Sequence, residues 1–380
     1  MVDLYVENNL EALSLSNYAF SLKFYAEFRN YEDNIFYSPL NIHVLMFMAS
    51  VGAAAGTFDE MFNLLHLSKN NTIELLDTYR RLYKHLEENH ALKAANGIFI
   101  DKSFNVKQNY LDDTKKHLKI GFEELDFQGR PEEERLHINN WVENNTYGKI
   151  HNILAPNTVD QSTTMIMINA LHFHSPWLYK FDEAKDEPFY ITPTTTTNVK
   201  MMSLTANLGL YRNEAAKYSV IKIPYEKTNF NMFILLTDSK DGLKEVEANI
   251  HKVHLTDITK GMKMHNVNLK LPKFTIVTQT YDFKDILSKI GAPTMFTEKA
   301  NFSEIATPSE RPLFINKFIQ KTHIDVTGDG SDNYRTNKNN LDLSNTTQYP
   351  SANFHVDHPI IFCVSGNNDN VIFAGRYIHP

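Results

Sequence analysis

Two histidines separated by one residue form the pattern closest to a metal site. His172 and His174 flank Phe173 in a strand-like run, so their side chains point to the same face and could share a metal ion. A third ligand does not follow nearby in the sequence, although metal sites usually need three or four. The pattern therefore favours ordinary strand histidines, and we expect neither a metal site nor a cofactor.

Four basic residues share one face of the helix predicted over 72–90, namely Arg80, Arg81, Lys84 and His85. Such a face could bind a polyanion, but a solvated helix face is the simpler interpretation. Carboxylate runs at 123–124 and 132–134 lie in polar stretches and give acid–base catalysis no specific support. The sequence also lacks a Walker loop and the GxGxxG, HExxH, CxxC and GxSxG motifs. We therefore expect that the protein is not an enzyme.

Composition excludes several classes of protein. The 380 residues are 42% hydrophobic and 12% aromatic, as in a well-packed globular protein. The net charge of −7 argues against a general nucleic-acid binder, and no apolar run reaches the ~18 residues of a membrane span. The single cysteine, Cys363, excludes an internal disulfide, and its apolar surroundings favour a small core residue over a nucleophile. We expect a monomer without nucleic-acid or membrane partners.

The N-terminus bears on the compartment in which the protein works. It has no basic n-region and no hydrophobic h-region, so no signal peptide is visible. On this evidence the chain is predicted to be cytoplasmic. A chain trimmed to its mature start would look the same and would be extracellular, so both locations stay open.

The elements that must position the polar residues change in type along the chain. Ser38 and Pro39 predict a helix start, because serine caps helices well and proline is tolerated at the first helical position. The run 165–173 (MIMINALHF) predicts a strand that is buried on both faces. Helical patterns dominate the first half and strand patterns the second, with no repeat or linker between them. The sequence therefore predicts a single α+β domain over 1–380.

A long polar segment interrupts the strand patterns near the C-terminus. An alternating run at 318–326 predicts a strand, which Thr327 to Gly330 then break. The residues from there to Pro350 are mostly Asn, Thr, Ser and Asp, and a strand pattern resumes at 354–362. A loop of this length inside a compact domain is usually either functional or disordered.

A series of short segments follows the order and spacing of one known family. They are 34–42 (NIFYSPLNI), 52–57 (GAAAGT) with 60–61 (EM), 138–142 (INNWV), 146–150 (TYGKI), 169–173 (NALHF) with Trp177 and 181–182 (FD), 188–189 (PF), 201–202 (MM), 223–225 (IPY), 271–274 (LPKF), 357–359 (DHP) and 373–376 (FAGR). In these motifs the chain resembles the serpins, from about residue 10 to Pro380.

The resemblance implies an α+β fold of three β-sheets and eight or nine helices, with an exposed reactive-centre loop at about 328–350 presented to a target protease of the serine or cysteine class. In inhibitory members, cleavage lets this loop insert into the central sheet and carry the bound protease along. By position, the hinge of the loop comprises Gly328, Asp329, Gly330, Ser331, Asp332, Asn333, Tyr334, Arg335 and Thr336. The breach and shutter, where insertion starts and the strands part, comprise Trp177, Lys273, Ser38, Asn41, Asn169 and Gln320.

The chain departs from the family pattern in the hinge and the shutter. Inhibitory serpins carry a Glu at the start of the hinge and small residues after it. Gly328 occupies the Glu position here, so an ion pair with Lys273 is lost, and the small run is replaced by 333–336 (NYRT). In the shutter, Asn41 stands where Ser is usual and Gln320 where His is usual.

The polar hinge bears on whether the loop can insert, because a central strand buries alternate side chains. One register turns positions 331, 333, 335, 337 and 339 inward, and the other turns 332, 334, 336, 338 and 340 inward. The first register buries one charge and three amides, and the second buries two charges and one amide. An unpaired buried charge costs several kcal/mol, and each unsatisfied amide about 1–3 kcal/mol. We therefore expect insertion to be slow, incomplete or absent.

The scissile bond is predicted within the segment of Leu343, Ser344, Asn345 and Thr346. Counting from Gly328 by the family's spacing places the bond after Ser344, whereas counting back from Phe354 places it nearer Thr346. Leu341 and Leu343 would suit papain-like cysteine proteases, which prefer an apolar residue one before the cut. The sequence predicts a serpin-type endopeptidase inhibitor, with a non-trapping mechanism as one form. The alternative is a non-inhibitory serpin for storage, carriage or chaperoning.

Overall fold

Helices dominate the first part of the chain and strands the second, in the order that the hydrophobic patterns predict. The computed structural model describes residues 2–68, 72–88, 92–118, 120–278, 280–331 and 349–380. The α-helices in these residues are α1 (Val2–Tyr25), α2 (Pro39–Val51), α3 (Ala55–Leu64), α4 (Thr72–Glu88), α5 (Gln108–Leu118), α6 (Pro131–Asn145), α7 (Leu243–Ala248), α8 (Leu255–Gly261) and α9 (Lys284–Ile290). None of these described helices is both long enough and apolar enough to cross a membrane.

Seventeen strands occur in the same described residues. They are β1 (Ile35–Tyr37), β2 (Leu92–Asp101), β3 (Gly121–Leu125), β4 (Met165–Phe173), β5 (Ser175–Pro176), β6 (Lys185–Thr192), β7 (Thr195–Asn213), β8 (Tyr218–Pro224), β9 (Asn231–Thr237), β10 (Lys263–Pro272), β11 (Phe274–Val277), β12 (Tyr281–Asp282), β13 (Ile315–Thr327), β14 (Gly330–Ser331), β15 (Ser351–His355), β16 (Ile360–Ser365) and β17 (Val371–Tyr377). The predicted α+β class is confirmed.

The chain forms two compact units, each made of several segments. The first unit comprises Met1–Phe24, Tyr37–His172 and Thr278–His323. The second comprises Tyr25–Phe36, Phe173–Val277 and Ile324–Pro380. The strand β13 belongs to the first unit up to His323 and to the second unit from Ile324. The prediction of a single domain over 1–380 stays a prediction.

The first unit is built on a sheet with the strand order β3-β2-β4-β13, in which β12 also pairs with β13. Every residue of β4 is buried, as its continuous apolar run predicts. The helix α2 begins at Pro39, and Ser38 caps it by accepting a hydrogen bond from the Asn41 amide. Its residues from Pro39 to Ser50 are all buried. The predicted start of α2 is therefore confirmed.

An apolar core lies between α6 and the sheet of the first unit. It combines Phe99 of β2 with Ile138 and Val142 of α6, all fully buried. The Trp141 ring meets Phe99 edge to face, with centroids 5.3 Å apart. This packing fixes α6 against the sheet that carries Asn169 and Gln320.

The second unit contains a nine-stranded network with the order β1-β17-β16-β9-β8-β7-β10-β15, in which β6 also pairs with β7. The long strand β7 pairs with β6 and β10 along residues 195–210 and with β8 along 209–213. Gly209 and Leu210 pair with β10 on one side and with β8 on the other, so the network is continuous through β7. Together with the sheet that contains β13, the described residues form two hydrogen-bonded sheets. In the second unit, the end of β13 continues through β14 to β5.

Candidate functional site

A cluster of buried polar side chains gathers where α2 meets the sheet of the first unit. We call it the amide ring, and its members are Ser38, Asn41, Tyr83, Asn96, Asn169 and Gln320. All six are at most 9% exposed. Four of them, Ser38, Asn41, Asn169 and Gln320, are the residues that the sequence predicts for the shutter, and the structure brings them together.

Gln320 connects three elements of the first unit. From β13 its Oε1 accepts a hydrogen bond from the Ser38 amide at 2.8 Å, and its Nε2 donates to the Ser38 carbonyl oxygen at 3.2 Å. The same Nε2 donates to Asn169 Oδ1 in β4 at 2.5 Å. A side-chain amide suits this position because it donates and accepts in one plane. The amide of Gln320 therefore joins β13 both to β4 and to the start of α2.

The remaining members close the ring. Asn41 Nδ2 donates to Ser38 Oγ at 2.9 Å, and Asn41 Oδ1 accepts from Asn96 Nδ2 at 3.3 Å. Asn96 Oδ1 accepts from Asn169, and Tyr83 donates to Asn41 Oδ1 at 2.5 Å. Tyr83 and Asn96 are members of the ring that the sequence did not predict. Asn96 gives a signal as a polar residue within an apolar strand, while Tyr83 looks like an ordinary residue of an amphipathic helix.

A buried histidine lies on α2 beside the amide ring. The His43 ring contacts Ser16 Oγ at 3.1 Å, Tyr79 Oη at 2.6 Å and the Leu65 carbonyl oxygen at 3.1 Å. Burial lowers the pKa of His43 to about 3, because the interior disfavours the charged ring. His43 is therefore neutral at physiological pH, and its contacts are those of a structural residue.

The hinge turn, which we define as residues 327–331, lies in the second unit. Thr327 pairs with Gly330 across β13 and β14, and Gly330 pairs in turn with Pro176 of β5. The Thr327 hydroxyl donates to the Gly330 carbonyl oxygen at 2.8 Å. Gly330 has a φ of +139°, and a Cβ there would lie 2.2 Å from the Ser175 carbonyl oxygen. This position of the hinge turn therefore requires glycine.

The segment that follows β5 holds the backbone of the hinge turn. The Trp177 amide donates to the Asp329 carbonyl oxygen at 3.1 Å, and its indole Nε1 donates to the Thr327 carbonyl oxygen at 2.8 Å. The Phe181 amide donates to the Gly328 carbonyl oxygen at 3.1 Å. The Trp177 ring stacks on Tyr225 with centroids 4.3 Å apart. Trp177, predicted for the breach, therefore contacts the predicted hinge directly.

The charged residues of the hinge region are arranged differently from the family pattern. The Lys180 ammonium forms an ion pair with the Asp329 carboxylate. Lys273 is exposed, its amide donates to the Lys200 carbonyl oxygen at 2.7 Å, and it forms no ion pair with another described residue. A Cβ added at Gly328 would meet no atom closer than 3.8 Å. Glycine is thus not required by space at position 328, and the hinge carries its own ion pair.

The other predicted hinge and scissile residues lie outside the described residues. They are Asp332, Asn333, Tyr334, Arg335, Thr336, Leu343, Ser344, Asn345 and Thr346. Their assignment stays a prediction.

The other residues that the sequence suggested for metal binding, polyanion binding or catalysis have surroundings typical of structural residues. The His172 ring meets His323 edge to face at 5.3 Å, and in the described part of the chain no three His, Cys, Asp or Glu side chains converge into a metal site. Arg80 and Arg81 both bond Asp77, which lowers the pKa of that carboxyl group. Burial raises the pKa of the Cys363 thiol to about 12. A thiol with this pKa is a poor nucleophile at neutral pH.

The fold and the hinge turn can now be compared with known proteins. A family model described as Serpin (serine protease inhibitor) matches residues 15–380. The chain belongs to the serpin family. This serpin is 31% identical to Serpin B4 of Homo sapiens, with 98% of this chain and 100% of the relative covered. It is 29% identical to the leukocyte elastase inhibitor of Equus caballus, with the same coverage.

Solved structures agree with this assignment. The serpin resembles Serpin48, described as a highly specific serpin in the insect Tenebrio molitor, with a TM-score of 0.86 and 25% identity over 100% of this chain and 99% of that one. It resembles maspin with a TM-score of 0.87 and 26% identity over 98% of this chain and 100% of that one. The predicted serpin fold is confirmed, with nine α-helices and more than one β-sheet in the described residues. Serpins are mainly protease inhibitors, not enzymes, and they act on target proteases.

Proposed function

We propose that this serpin inhibits a protease by presenting the segment at about 328–350 as a reactive-centre loop. The observation that carries the proposal is the hinge turn, where Gly330 pairs with Thr327 of β13 on one side and with Pro176 of β5 on the other. The loop therefore begins as the first residues of a strand. A strand begun in this position can lengthen along β13 once the loop is cut.

The proposed reaction uses the chemistry of the target protease. Its serine or cysteine nucleophile attacks the carbonyl carbon of the scissile bond within Leu343, Ser344, Asn345 and Thr346 and expels the amine of the next residue. The loop then remains bound to the protease as an acyl ester or thioester. Lengthening of the strand would carry the acylated end away from the hinge and distort the protease, whereas without lengthening the acyl group is hydrolysed and the protease is released.

The pairing at the hinge turn supports one of the two strand registers. Because Gly330 lies opposite Thr327, continued antiparallel pairing would bring Arg335 opposite Thr322. Along 320–326 of β13 the even-numbered residues are buried and the odd-numbered ones are partly exposed. Residues directly opposite each other in an antiparallel pair share a face. The inward set in this register would include Asn333, Arg335, Asn337 and Asn339.

The chemistry of this inward set argues for restricted insertion. Arg335 would bring a guanidinium group to a face that the small residues of inhibitory serpins leave apolar. An unpaired buried charge costs several kcal/mol, and each unsatisfied amide about 1–3 kcal/mol. We therefore infer that insertion is slow or incomplete, and that inhibition proceeds by tight or slow-substrate binding instead of full trapping.

The target class follows from the apolar residues of the loop. For the candidate bond after Ser344, the residue on the amino side of Ser344 is Leu343, and papain-like proteases favour an apolar side chain at that place. A cysteine protease of this type is therefore the proposed target. We propose that the protein acts as a monomer and is not itself an enzyme.

The polar hinge also favours a second function. If the inward set prevents insertion altogether, the chain is a non-inhibitory serpin with a storage, carrier or chaperone role. This alternative shares the fold and the hinge turn with the first proposal, but it predicts that proteases cut the loop without being inhibited.

Incubation with proteases of different specificity distinguishes the two functions. The serpin is mixed with trypsin, chymotrypsin, elastase and papain, and each mixture is assayed for residual protease activity and separated on a denaturing gel. Loss of papain activity without a covalent band supports the non-trapping inhibitor, and a denaturant-stable complex would contradict restricted insertion. Cutting of the loop with full activity in all four mixtures would refute inhibition of these enzymes.

A further inference from the structure

The hinge turn contains a single charged side chain, that of Asp329, between two glycines. Gly328 and Gly330 have no side chain that could hold the turn, and glycine loses more conformational freedom on ordering than other residues. Three hydrogen bonds from Trp177 and Phe181 fix the carbonyl groups of the turn. The carboxylate of Asp329 also forms an ion pair with Lys180, which lies in the same segment as Trp177 and Phe181.

We propose that Lys180 is a positioning residue for the reactive loop, because its ion pair with Asp329 holds the hinge turn ready for strand growth. Lys180 lies between Trp177 and Phe181, the two residues whose amides bind the turn. The ion pair therefore acts on the same stretch of backbone as these hydrogen bonds.

The ion pair is expected to act on the start of insertion and not on its end point. Lys180 is 59% exposed and Asp329 is 35% exposed, so solvent and salt weaken their attraction. Exposed pairs of this kind typically change an equilibrium about 1.5- to 5-fold. A change of this size matters for a reaction in which strand growth competes with hydrolysis of the acyl group. This role rests on the proposed inhibitor function, whereas the hold on the turn itself does not.

Amide hydrogen exchange tests the hold on the turn without any protease. Lys180→Met and Asp329→Asn each remove one charge and keep a side chain of similar shape. We expect the amides of Trp177 and Phe181 to exchange about 1.5- to 5-fold faster in each variant, and no faster in the double variant than in either single one. Added salt should produce the same acceleration in the unmodified protein and little change in the variants.

Lys200→Met is the matched control, because Lys200 forms an ion pair with Asp186 at 2.8 Å with 61% and 60% exposure, elsewhere in the second unit. It should leave exchange at Trp177 and Phe181 unchanged. Unchanged exchange in Lys180→Met would overturn the proposal. The proposal would also fail if the double variant accelerated exchange by the product of the two single-variant factors, because the two charges would then act independently. The doubly reversed variant with Lys180→Asp and Asp329→Lys should restore slow exchange, and failure to do so would also count against the ion pair.

A second measurement connects the ion pair to the reaction. After the loop is cut, the rate at which the protein gains heat stability should fall about 1.5- to 5-fold in Lys180→Met and not in Lys200→Met. An equal rate in the two variants would refute the role in strand growth. If exchange responds as expected but cutting gives no gain in heat stability in any variant, the hold on the turn stands and the role in strand growth fails, while the residual activity of papain decides separately whether the protein inhibits.

Discussion

Replacing Arg335 by alanine tests the strand register that the hinge turn supports. In that register Arg335 would face the core opposite Thr322, a residue that is 1% exposed, whereas Asp332 would face outward opposite Asp325, which is partly exposed. Removing an unpaired charge from a buried position should stabilise the cleaved, inserted form by about 3–5 kcal/mol. Removing a charge from an exposed position should change stability by less than about 0.5 kcal/mol. Arg335→Ala and Asp332→Ala therefore form a matched pair.

The expected effect can be expressed as a melting temperature. Unfolding entropy is about 2.1 cal/mol/K per residue, so for 380 residues a shift of one degree corresponds to about 0.8 kcal/mol. A gain of about 4 kcal/mol therefore raises the melting temperature by about 5 °C. Melting is measured calorimetrically on the intact and the loop-cleaved form of each variant. The difference between the two forms should grow by about 5 °C in Arg335→Ala and by less than about 1 °C in Asp332→Ala.

Two results would refute this reasoning in different ways. A larger shift in Asp332→Ala than in Arg335→Ala would mean that the strand adopts the other register. A large rise in melting temperature on cleavage of the unmodified protein would mean that the polar hinge does not restrict insertion. If cleavage raises the melting temperature in none of the three proteins, the non-inhibitory function is favoured.

Three further predictions concern the described residues. Gln320→Ala removes the partner of the Ser38 amide and of Asn169, so it should lower the free energy of unfolding by about 2–6 kcal/mol in denaturant titrations. The control Gln161→Ala, at an exposed position, should leave that free energy unchanged. Equal effects of the two substitutions would contradict the geometry of the amide ring. Burial lowers the pKa of His43 to about 3, so the unfolded chain binds a proton at this residue at a higher pH than the folded chain does. The free energy of unfolding should therefore fall by up to about 5 kcal/mol as the pH falls from 6.5 towards 3. If His43→Gln shows the same dependence of stability on pH, protonation of His43 is not its cause. In the same titrations, Gly330→Ala should destabilise the protein by about 1–3 kcal/mol and Gly328→Ala by less than about 0.5 kcal/mol. A larger effect of Gly328→Ala than of Gly330→Ala would refute the geometry of the hinge turn.

Local chemistry determined which parts of the fold could be predicted from the sequence. Ser38 and Pro39 predict the start of α2 because capping depends on neighbouring residues alone. The apolar run of β4 predicts burial for the same reason. The strand β6 was missed because its 185–188 segment (KDEP) carries charges and a proline that argue against a strand. Its formation depends on pairing with β7, which the local sequence does not reveal.

The candidate site was predictable where a motif named its residues, but its geometry was not. Family motifs point to Ser38, Asn169 and Gln320, yet the hydrogen bonds among them depend on elements far apart in the chain. The ion pair of Lys180 with Asp329 could not be predicted, because Asp329 takes its place only when the glycines of the hinge turn adopt their bend. Sequence therefore identified the participants of the site better than their contacts.

The two unusual shutter residues are best understood together. Asn41 and Gln320 each replace a residue that is typical of the family, and each is a side-chain amide that donates and accepts within the same ring. Ring members therefore satisfy one another, which removes the penalty that a lone substitution would leave in a buried site. Since the hinge turn is also paired, neither feature by itself opposes strand growth. The resistance to insertion that we propose must then come from the side chains of the loop, which is why substitutions there are the decisive test.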